Sequence, residues 1–382
     1  MNILVTGGAG FIGSHIVDAL VGKHEVTVYD NFEPQVHKQE PDYLNTDAAL
    51  IRADIRDNES LKSAVMEADI IFHQAAMVGV GQSMYQIERY VDVNTLGTAK
   101  LLDILANEEH DVKKLIVASS MSIYGEGAYQ CKDCGVVYPS LRAEEQMRSR
   151  EWEMRCPECG KVVEPVPTDE MKPLQPTSIY AVSKKDQEEM SLAVGHAYGI
   201  PTVALRYFNT YGPRQALSNP YTGVCAIFSS RIKNNNPPIV FEDGLQTRDF
   251  ISVHDIAAAN LLVMENSRAD YEVYNVGTGM PVSILEIAET LAGLYGKDLK
   301  PEVVNKFRQG DIRHCYADIS KIQRLGFEPA MSFEDGMQEL VAWGETQEAE
   351  DRSDVAYEEL KEKGLGGDVK ENDEVLITGR IY

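Results

Sequence analysis

The chain begins Asn2-Ile3-Leu4-Val5-Thr6 and continues directly into Gly7-Gly8-Ala9-Gly10-Phe11-Ile12-Gly13. The first run is apolar and rich in β-branched residues, which is typical of a buried strand, and the residues from Phe11 to Val21 have the pattern of a helix. The glycines between them allow a tight turn and a close approach of the backbone to a pyrophosphate at the helix N-terminus. The stretch therefore predicts a nucleotide-binding βα unit at the start of an α/β fold.

A second strand, Glu25–Asp30, ends in an acid 17 residues after Gly13. A carboxylate at this position accepts hydrogen bonds from a ribose 2′-hydroxyl and repels a 2′-phosphate. No arginine follows Asp30 closely in the sequence. The spacing therefore favours NAD over NADP as the cofactor.

Far downstream, Tyr180 stands four residues before Lys184 in Ser178-Ile179-Tyr180-Ala181-Val182-Ser183-Lys184. This spacing puts both side chains on one face of a helix. A free phenol titrates at about pH 10, and a nearby positive charge favours its ionised form. The pair alone fits an ordinary amphipathic helix, but with the glycine turn it predicts proton transfer coupled to hydride transfer at a nicotinamide.

These motifs resemble the extended short-chain dehydrogenase/reductase group, and within it the NAD-dependent nucleotide-sugar epimerases and dehydratases, over roughly residues 1–345. The resemblance implies Ser120, in Ala118–Gly125, as the catalytic hydroxyl beside Tyr180 and Lys184. The cofactor residues that it implies are Gly7, Gly10, Phe11, Ile12, Gly13, Asp30, Asn31, Asp54, Ile55, Ala75, Asn94, Tyr180 and Lys184.

The same resemblance implies a substrate site for a nucleotide sugar. Ser120 would bind the C4 oxygen of the sugar, and Asn209 would face the diphosphate. Arg248 and Arg308 would clamp the diphosphate, because a guanidinium is planar and permanently charged. Cys315 falls where the family sets the size of the sugar pocket. A buried cysteine acting as a small hydrophobic residue is an equally good interpretation of that position.

The composition fits one large or two modest domains, since the chain has 382 residues of which 43% are hydrophobic. Strands alternate with helices up to about Tyr207, which predicts a Rossmann-type, doubly wound parallel sheet. A smaller α/β C-terminal substrate lobe should follow, with helices at Val224–Asn234, His254–Asn266 and Ser283–Tyr295. The predicted domains are a cofactor domain at 1–125 and 166–215, an insert at 126–165, a lobe mainly at 216–345, and an acidic tail at 346–382.

The insert carries two Cys-x-x-Cys pairs, each followed by a glycine. Such knuckles are typical of a tetrahedral four-cysteine zinc site, and the alternatives are two redox pairs or two disulfides. The zinc interpretation predicts a structural ion in a zinc ribbon, and the chain then resembles the zinc-ribbon-bearing subset of the family that includes dTDP-L-rhamnose 4-epimerases. The candidate ligands are Cys131, Cys134, Cys156 and Cys159.

The two residues after Ser120 indicate the reaction. Dehydratases of the family carry an Asp-Glu pair there, whereas this chain has Met121 and Ser122, and the glutamate that related uronate decarboxylases place at the second position is also absent. The remaining chemistry is transient oxidation at C4, rotation of the 4-keto sugar and return of the hydride, which is 4-epimerisation. Candidate substrates are dTDP-6-deoxyhexoses such as dTDP-L-rhamnose, UDP-hexoses and UDP-uronic acids.

Two other functions stay open at this point. An NAD-dependent sugar-nucleotide dehydratase or dehydrogenase would share most of these motifs. A non-catalytic NAD or nucleotide-sugar sensor, with the zinc ribbon as a protein-docking module, would not need Ser120, Tyr180 and Lys184. The net charge of −24 argues against a nucleic-acid or anionic-membrane partner. A strand beginning at residue 2 leaves no room for a signal peptide, so a cytoplasmic protein is expected, and the family implies a homodimer.

Overall fold

The computed structural model describes residues 1–367, and a parallel sheet of seven strands forms its centre. The strands are, in chain order, β1 Asn2–Thr6, β2 Glu25–Asp30, β3 Ala49–Arg52, β4 Ile70–His73, β5 Lys114–Ser120, β6 Ala128–Cys131, β7 Gly135–Val137, β8 Glu164–Val166, β9 Thr202–Tyr207, β10 Asn209–Tyr211, β11 Ile239–Val240, β12 Thr247–Ser252, β13 Val273–Val276, β14 Pro281–Ser283, β15 Glu302–Val303, β16 Phe307–Arg308, β17 His314–Cys315 and β18 Gly366–Gly367. The large sheet has the order β13-β9-β5-β4-β1-β2-β3. The predicted Rossmann-type α/β fold is confirmed.

Helices cover both faces of this sheet and build the smaller lobe. They are α1 Phe11–Leu20, α2 Asn58–Met66, α3 Val80–Ser83, α4 Ile87–Tyr90, α5 Gly97–Asn107, α6 Glu144–Arg148, α7 Ile179–Tyr198, α8 Val224–Lys233, α9 Val253–Glu265, α10 Ile284–Leu294, α11 Ser320–Gln323, α12 Phe333–Thr346 and α13 Ser353–Glu362. A π-helical stretch, Val91–Leu96, links α4 to α5, and short 3₁₀ turns span Met121–Tyr124 and Ser267–Ala269. Within residues 1–367, no helix is long and apolar enough to cross a membrane.

Alternating side chains of the central strands feed two separate cores. Ile3 and Val5 pack with α1 and α9 on one face, whereas Leu4 packs with α2 and α5 on the other. Because successive residues of a strand point to opposite faces, a strand that is apolar at every position is buried on both sides. The continuous apolar character of the first strand therefore explains its central place in the sheet.

The three predicted helices of the C-terminal region are present within two residues of their expected bounds, and two elements after residue 215 pack with the large sheet rather than with the smaller lobe. The helix α9 packs against α1, and β13 joins the large sheet beside β9, so both belong to the cofactor domain. The smaller lobe has its own core between α8, α10 and α12. Local periodicity is enough to identify these elements but not their neighbours, which depend on pairings across the whole chain.

The insert forms a separate antiparallel sheet in the order β7-β6-β8, with a small apolar core that includes Tyr129, Val137 and Met154. Gly135 and Gly160, which follow the two cysteine pairs, adopt positive φ angles of 81° and 72°. This left-handed backbone explains why glycine ends each knuckle.

The acidic tail is predicted to be a solvated helix followed by a loose segment, and the described part differs from that expectation. The helix α13 is present, but it packs on the protein, and β18 pairs with β16. The helix α13 packs through its apolar residues, since Ala356 and Leu360 are buried although most of their neighbours in the helix are charged. The rest of the predicted tail, residues 368–382, lies outside the described residues.

A buried ion pair joins α7 to β9 beneath the sheet edge. Arg206 donates to both carboxylate oxygens of Glu188 at 2.5 and 3.0 Å, and both side chains are almost fully buried. Ser119 donates a further hydrogen bond of 2.6 Å to Glu188. We expect Arg206→Met to lower the free energy of unfolding by about 3–5 kcal/mol, because it leaves the Glu188 carboxylate buried without its cation.

Urea unfolding of the purified variant measures this change. The control is Lys185→Met on the same helix, since Lys185 pairs with Glu189 at the surface over 3.4 Å and should lose less than about 1 kcal/mol. Equal losses in the two variants would show that the buried pair has no special role.

Candidate functional site

A cleft with a volume of about 820 Å³ runs along the carboxyl edge of the large sheet. The glycine turn, the ends of β2, β4 and β5 and the start of α7 line one side, and residues of the smaller lobe line the other. The strand order reverses between β1 and β4, and ligands of doubly wound sheets bind at such a reversal.

The glycine turn leaves room for a ligand close to the backbone. Gly7 has a φ of 69°, and a Cβ atom there would lie 2.7 Å from the backbone nitrogen of Ala75. A Cβ atom on Gly13 would lie 2.2 Å from the carbonyl oxygen of Gly7. Both positions therefore require glycine, and Gly7, Gly10, Phe11, Ile12 and Gly13 all line the cleft. This geometry fits a pyrophosphate at the N-terminus of α1.

Asp30 lines the same cleft at the end of β2. One carboxylate oxygen accepts a hydrogen bond of 3.0 Å from the Ala9 amide, and the other accepts one of 2.8 Å from the Phe32 amide. These bonds fix the carboxylate beside the glycine turn, and each oxygen keeps a second acceptor position. The arrangement fits the predicted contact with a ribose hydroxyl.

The structure separates the remaining predicted cofactor residues into two groups. Asn31, Ile55 and Ala75 line the cleft. Asp54 does not: its carboxylate accepts hydrogen bonds from Arg56 and Asn31, and the Arg56 guanidinium holds its pKa well below the usual range. Asn94 is also outside the lining, because its fully buried side chain bonds the backbone of Met77 and the hydroxyl of Ser183. The direct cofactor contacts of Asp54 and Asn94 therefore stay predictions, and Asn94 holds Met77 in the wall of the cleft.

Ser120, Tyr180 and Lys184 converge on the cleft as predicted. Ser120 ends β5, and its oxygen accepts a hydrogen bond of 2.9 Å from Ser122. Tyr180 enters from the first turn of α7, which Ser178 caps by accepting a hydrogen bond from the Ala181 amide. Burial raises the pKa of Tyr180, and the Ser120 hydroxyl partly offsets that rise.

Burial dominates the environment of Tyr180 in the polypeptide alone, so its pKa is raised and not lowered as the pairing with Lys184 suggests. Its ammonium group donates a hydrogen bond of 2.7 Å to Gln187, and burial lowers the pKa of Lys184 to about 7. Both shifts have the same cause, because a low-dielectric site disfavours the charged form of each group.

A buried chain of hydrogen bonds joins Lys184 to the glycine turn. Gln187 accepts from Lys184 and donates to Thr98 over 2.7 Å, and the His73 ring lies 2.8 Å from both Thr98 and Thr6. The Thr98 hydroxyl donates to the Asn94 carbonyl, so the His73 Nε2–H donates to Thr98 and its Nδ1 accepts from Thr6. Burial, and secondarily the charge of Lys184, lowers the pKa of His73 to about 3, which keeps the ring neutral.

Sequence reasoning missed the role of this chain. Gln187 follows Lys184 by three residues on the same helix, and His73 is the last residue of β4. The spacing of Gln187 and Lys184 was the one available signal. The contacts to Thr98 and Thr6 span 89 and 67 residues, so no local pattern reveals them.

At the substrate end, Asn209 and Arg308 line the cleft as predicted, whereas Arg248 and Cys315 do not. The Arg248 guanidinium donates to the carbonyls of Ile312 and Arg313 at 2.6 and 2.9 Å. The backbone therefore holds this guanidinium, and its contact with a diphosphate stays a prediction. Cys315 is 1% exposed and contacts Thr168, which supports the alternative interpretation of a small buried hydrophobic residue.

The C-terminal segment supplies part of the cleft wall, which the sequence did not reveal. Tyr357, Leu360 and Leu365 are among its lining residues. Glu359 accepts hydrogen bonds from Tyr85 and Tyr221, whose hydroxyl oxygens lie 2.8 Å apart. The segment therefore contacts both the cofactor domain and the region that leads into the smaller lobe.

The four predicted zinc ligands come together in the insert. The sulfur atoms of Cys131, Cys134, Cys156 and Cys159 all lie within 4.8 Å of one another. No disulfide joins the described cysteines. Four converging thiols on two knuckles fit a tetrahedral ion of the zinc type and leave no ligand position for water.

Comparison with known proteins agrees with the fold and the cleft. The sequence profile of the NAD dependent epimerase/dehydratase family matches residues 3–141, and that of GDP-mannose 4,6 dehydratase matches residues 159–340. A dTDP-L-rhamnose 4-epimerase of Burkholderia thailandensis is 36% identical over 348 residues, which cover 90% of this chain and 94% of the relative. A putative UDP-glucose 4-epimerase of Methanocaldococcus jannaschii is 33% identical over 89% of this chain and 97% of its own length.

Solved structures show the same architecture. UDP-glucose 4-epimerase of Thermotoga maritima, determined with UDP-glucose, superposes with a TM-score of 0.72 at 32% identity, over 90% of this chain and 98% of that one. The Thermus thermophilus UDP-glucose 4-epimerase complex with NAD gives 0.72 at 30% identity, over 91% and 100%.

The lowered pKa of Lys184 predicts a pH dependence of stability. Its usual value is 10.5 and its folded value is about 7, so the folded state binds fewer protons between these two pH values. Its contribution to the free energy of unfolding should therefore rise with pH across that window, by at most about 1.4 kcal/mol per pH unit, and stay constant below pH 7.

Urea unfolding of wild type and Lys184→Met at pH 7, 8 and 9, without added cofactor, measures the effect. The free energy of unfolding of the wild type should rise relative to that of Lys184→Met as the pH rises, because only the wild type loses a buried charge. Parallel pH profiles for the two proteins would contradict the assignment.

Proposed function

The chain belongs to the NAD-dependent epimerase/dehydratase family, and we propose that it is an NAD-dependent nucleotide-sugar 4-epimerase. The observation that carries the proposal is the pairing of Ser120 and Tyr180 at the cleft, with Met121 and Ser122 beside them in place of a dehydratase acid pair. The residues that hold the cofactor are those of the glycine turn together with Asp30, Asn31, Ile55, Ala75, Tyr180 and Lys184.

The proposed mechanism uses one proton-transfer residue for both half-reactions. Tyr180 takes the proton of the sugar C4 hydroxyl, and Ser120 hydrogen-bonds the same oxygen. NAD held by the glycine turn, Asp30 and Lys184 would supply the hydride acceptor and donor for C4, and the positive charge of its oxidised ring would favour the phenolate form of Tyr180. The 4-keto sugar rotates in the cleft between these steps and presents its other face. Tyr180 then returns the proton to the C4 oxygen.

The neighbours of Ser120 argue against dehydration. Met121 is buried and has no titratable group. Ser122 donates its hydroxyl hydrogen to Ser120, and a serine hydroxyl does not exchange protons with carbon at neutral pH. Neither residue is able to remove a proton from C5, so the C6 oxygen should remain on the sugar.

The proposed substrates are dTDP-6-deoxyhexoses such as dTDP-L-rhamnose, or UDP-hexoses. Two of the similar proteins support these classes, since one is named for dTDP-L-rhamnose and another for UDP-glucose. Incubation with each nucleotide sugar, followed by NMR of the anomeric and C4 protons, identifies the substrate by C4 inversion. If neither class of nucleotide sugar undergoes inversion at C4, the assignment is wrong.

The first test concerns the phenol. We expect Tyr180→Phe to lower kcat by about 10²–10⁴-fold with little change in NAD or nucleotide-sugar affinity, because only the proton-transfer oxygen is removed. Tyr198→Phe is the matched control, since Tyr198 is 56% exposed at the far end of the same helix. A Tyr180→Phe protein with the wild-type rate would remove the phenol from the mechanism.

We also propose that the cysteine cluster binds a structural zinc ion. Supporting this, the four thiols converge and no water position remains. Elemental analysis should find about one zinc per chain, and Cys134→Ser should lose it. Cys225→Ala is the control, because Cys225 lies in the core of the smaller lobe and should leave the zinc content unchanged. Metal-free protein with four freely titrating thiols would contradict the proposal.

A homodimer is proposed as the assembly. Exposed apolar side chains at Ile87, Val91, Leu96 and Val182 lie on adjoining helices, and such a face is typical of a contact with a second copy. Light scattering should give twice the chain mass of 42.5 kDa, and Val91→Glu should halve it, whereas Val136→Glu in the insert should not. A monomeric wild type would refute this assembly. The cytoplasmic location stays a prediction.

A further inference from the structure

The insert touches the rest of the protein through a cluster of buried charges. Arg142 donates to both carboxylate oxygens of Glu242 at 2.7 and 2.8 Å, with both side chains at most 3% exposed. Arg313 is fully buried and bonds Glu242 and Asp243 of the smaller lobe as well as Glu153 of the insert. The cluster thus joins three segments. They are the insert, the turn at 242–243, and the segment 308–314.

This last segment carries Arg308, the arginine that lines the substrate end of the cleft. Arg308 donates to the Asp311 carboxylate over 2.8 Å, and Arg142 donates to the Asp311 carbonyl over 3.2 Å. The Arg308 guanidinium also lies 4.7 Å from the ring centre of Phe241, the residue before Glu242. These two contacts of Arg308 are therefore both linked to Arg142, one through Asp311 and the other through Glu242.

The insert itself stays outside the cleft, since none of residues 126–165 lines it. It therefore neither covers the substrate nor contributes an atom to the reaction. Its cysteine cluster and small apolar core hold its strands together. A bidentate pair between an arginine and a carboxylate fixes orientation as well as distance, so the pair of Arg142 and Glu242 fixes the insert relative to the 242–243 turn.

We propose that the insert is a positioning element for the substrate diphosphate, and that Arg142 is the residue through which it holds Arg308 in place. The proposal rests on the nucleotide-sugar function argued above. A guanidinium that is already held in its binding orientation loses less conformational entropy when it binds a diphosphate. The smaller entropy loss increases the affinity for the diphosphate. It also explains why a zinc-binding insert interrupts the cofactor domain without reaching the cofactor.

The test compares Arg142→Met with wild type. The dissociation constants of dTDP and UDP, measured by calorimetry, and the KM of the nucleotide sugar should rise by about tenfold, while kcat and NAD affinity change by less than about twofold. Arg142→Lys, which keeps the charge but not the two-point geometry, should recover part of the loss. Arg155→Met is the control within the insert, because Arg155 pairs with Glu151 at the surface.

A double-variant cycle with Arg308→Met decides whether Arg142 acts through Arg308. If it does, Arg142→Met should have no further effect on dTDP or UDP affinity in the Arg308→Met background. The proposal would be overturned if Arg142→Met lowered the dTDP or UDP affinity equally in the wild-type and Arg308→Met backgrounds, or lowered it in neither. Should Arg142→Met not yield folded protein, the same cycle with Arg142→Lys carries the test.

Nucleotide affinity is measured without turnover, so the two proposals fail separately. A wild type that binds dTDP or UDP but never inverts C4 would overturn the epimerase function alone. A working epimerase in which Arg142→Met binds nucleotides like the wild type would overturn the positioning role alone.

Discussion

The buried hydrogen-bond chain from Thr6 through His73, Thr98 and Gln187 to Lys184 is the constraint on which the cleft depends. It fixes the end of β1, where the glycine turn begins, relative to α7, which carries the phenol. Each member is buried, so breaking one bond leaves a polar group without water to replace its partner. The glycine turn and Tyr180 therefore keep one relative position.

Around this fixed centre, the protein builds the substrate end from parts that lie far apart in the sequence. The strand β10 supplies Asn209, the smaller lobe supplies Arg308, and Glu359 of the C-terminal segment binds both Tyr85 and Tyr221. The insert reaches the same region through the ion pairs of Arg142 with Glu242 and of Glu153 with Arg313, and through the packing of Met147 and Trp152 on Phe307. The cofactor end is thus held by the sheet and its helices, whereas the substrate end is assembled from long-range ionic and tyrosine contacts. That division is consistent with a shared cofactor chemistry and a substrate choice set by peripheral segments.

The sequence was sufficient for the parts of the molecule whose signals are local. The first strand, the glycine turn and the acid at Asp30 follow one another within 30 residues, and period and glycine placement identify them. Ser120, Tyr180 and Lys184 are also predictable, since each lies in a short motif. The direction in which a side chain points depends on partners that are distant in the sequence. For this reason the sequence places four residues at the cleft that do not line it, namely Arg248, Cys315, Asp54 and Asn94. Arg142 and Glu242 are 100 residues apart, and no periodicity reveals their pairing.

The central claim is that the hydrogen at C4 leaves as hydride and returns to the other face of the same sugar. Reaction of the substrate in heavy water, with deuterium located by NMR and mass spectrometry, tests this claim most directly. The account predicts a C4 epimer with an unchanged C6 substituent and carbon count, and with no deuterium at C4 or C5. Deuterium at C5, or loss of the C6 oxygen or carboxylate, would contradict it and indicate elimination or decarboxylation.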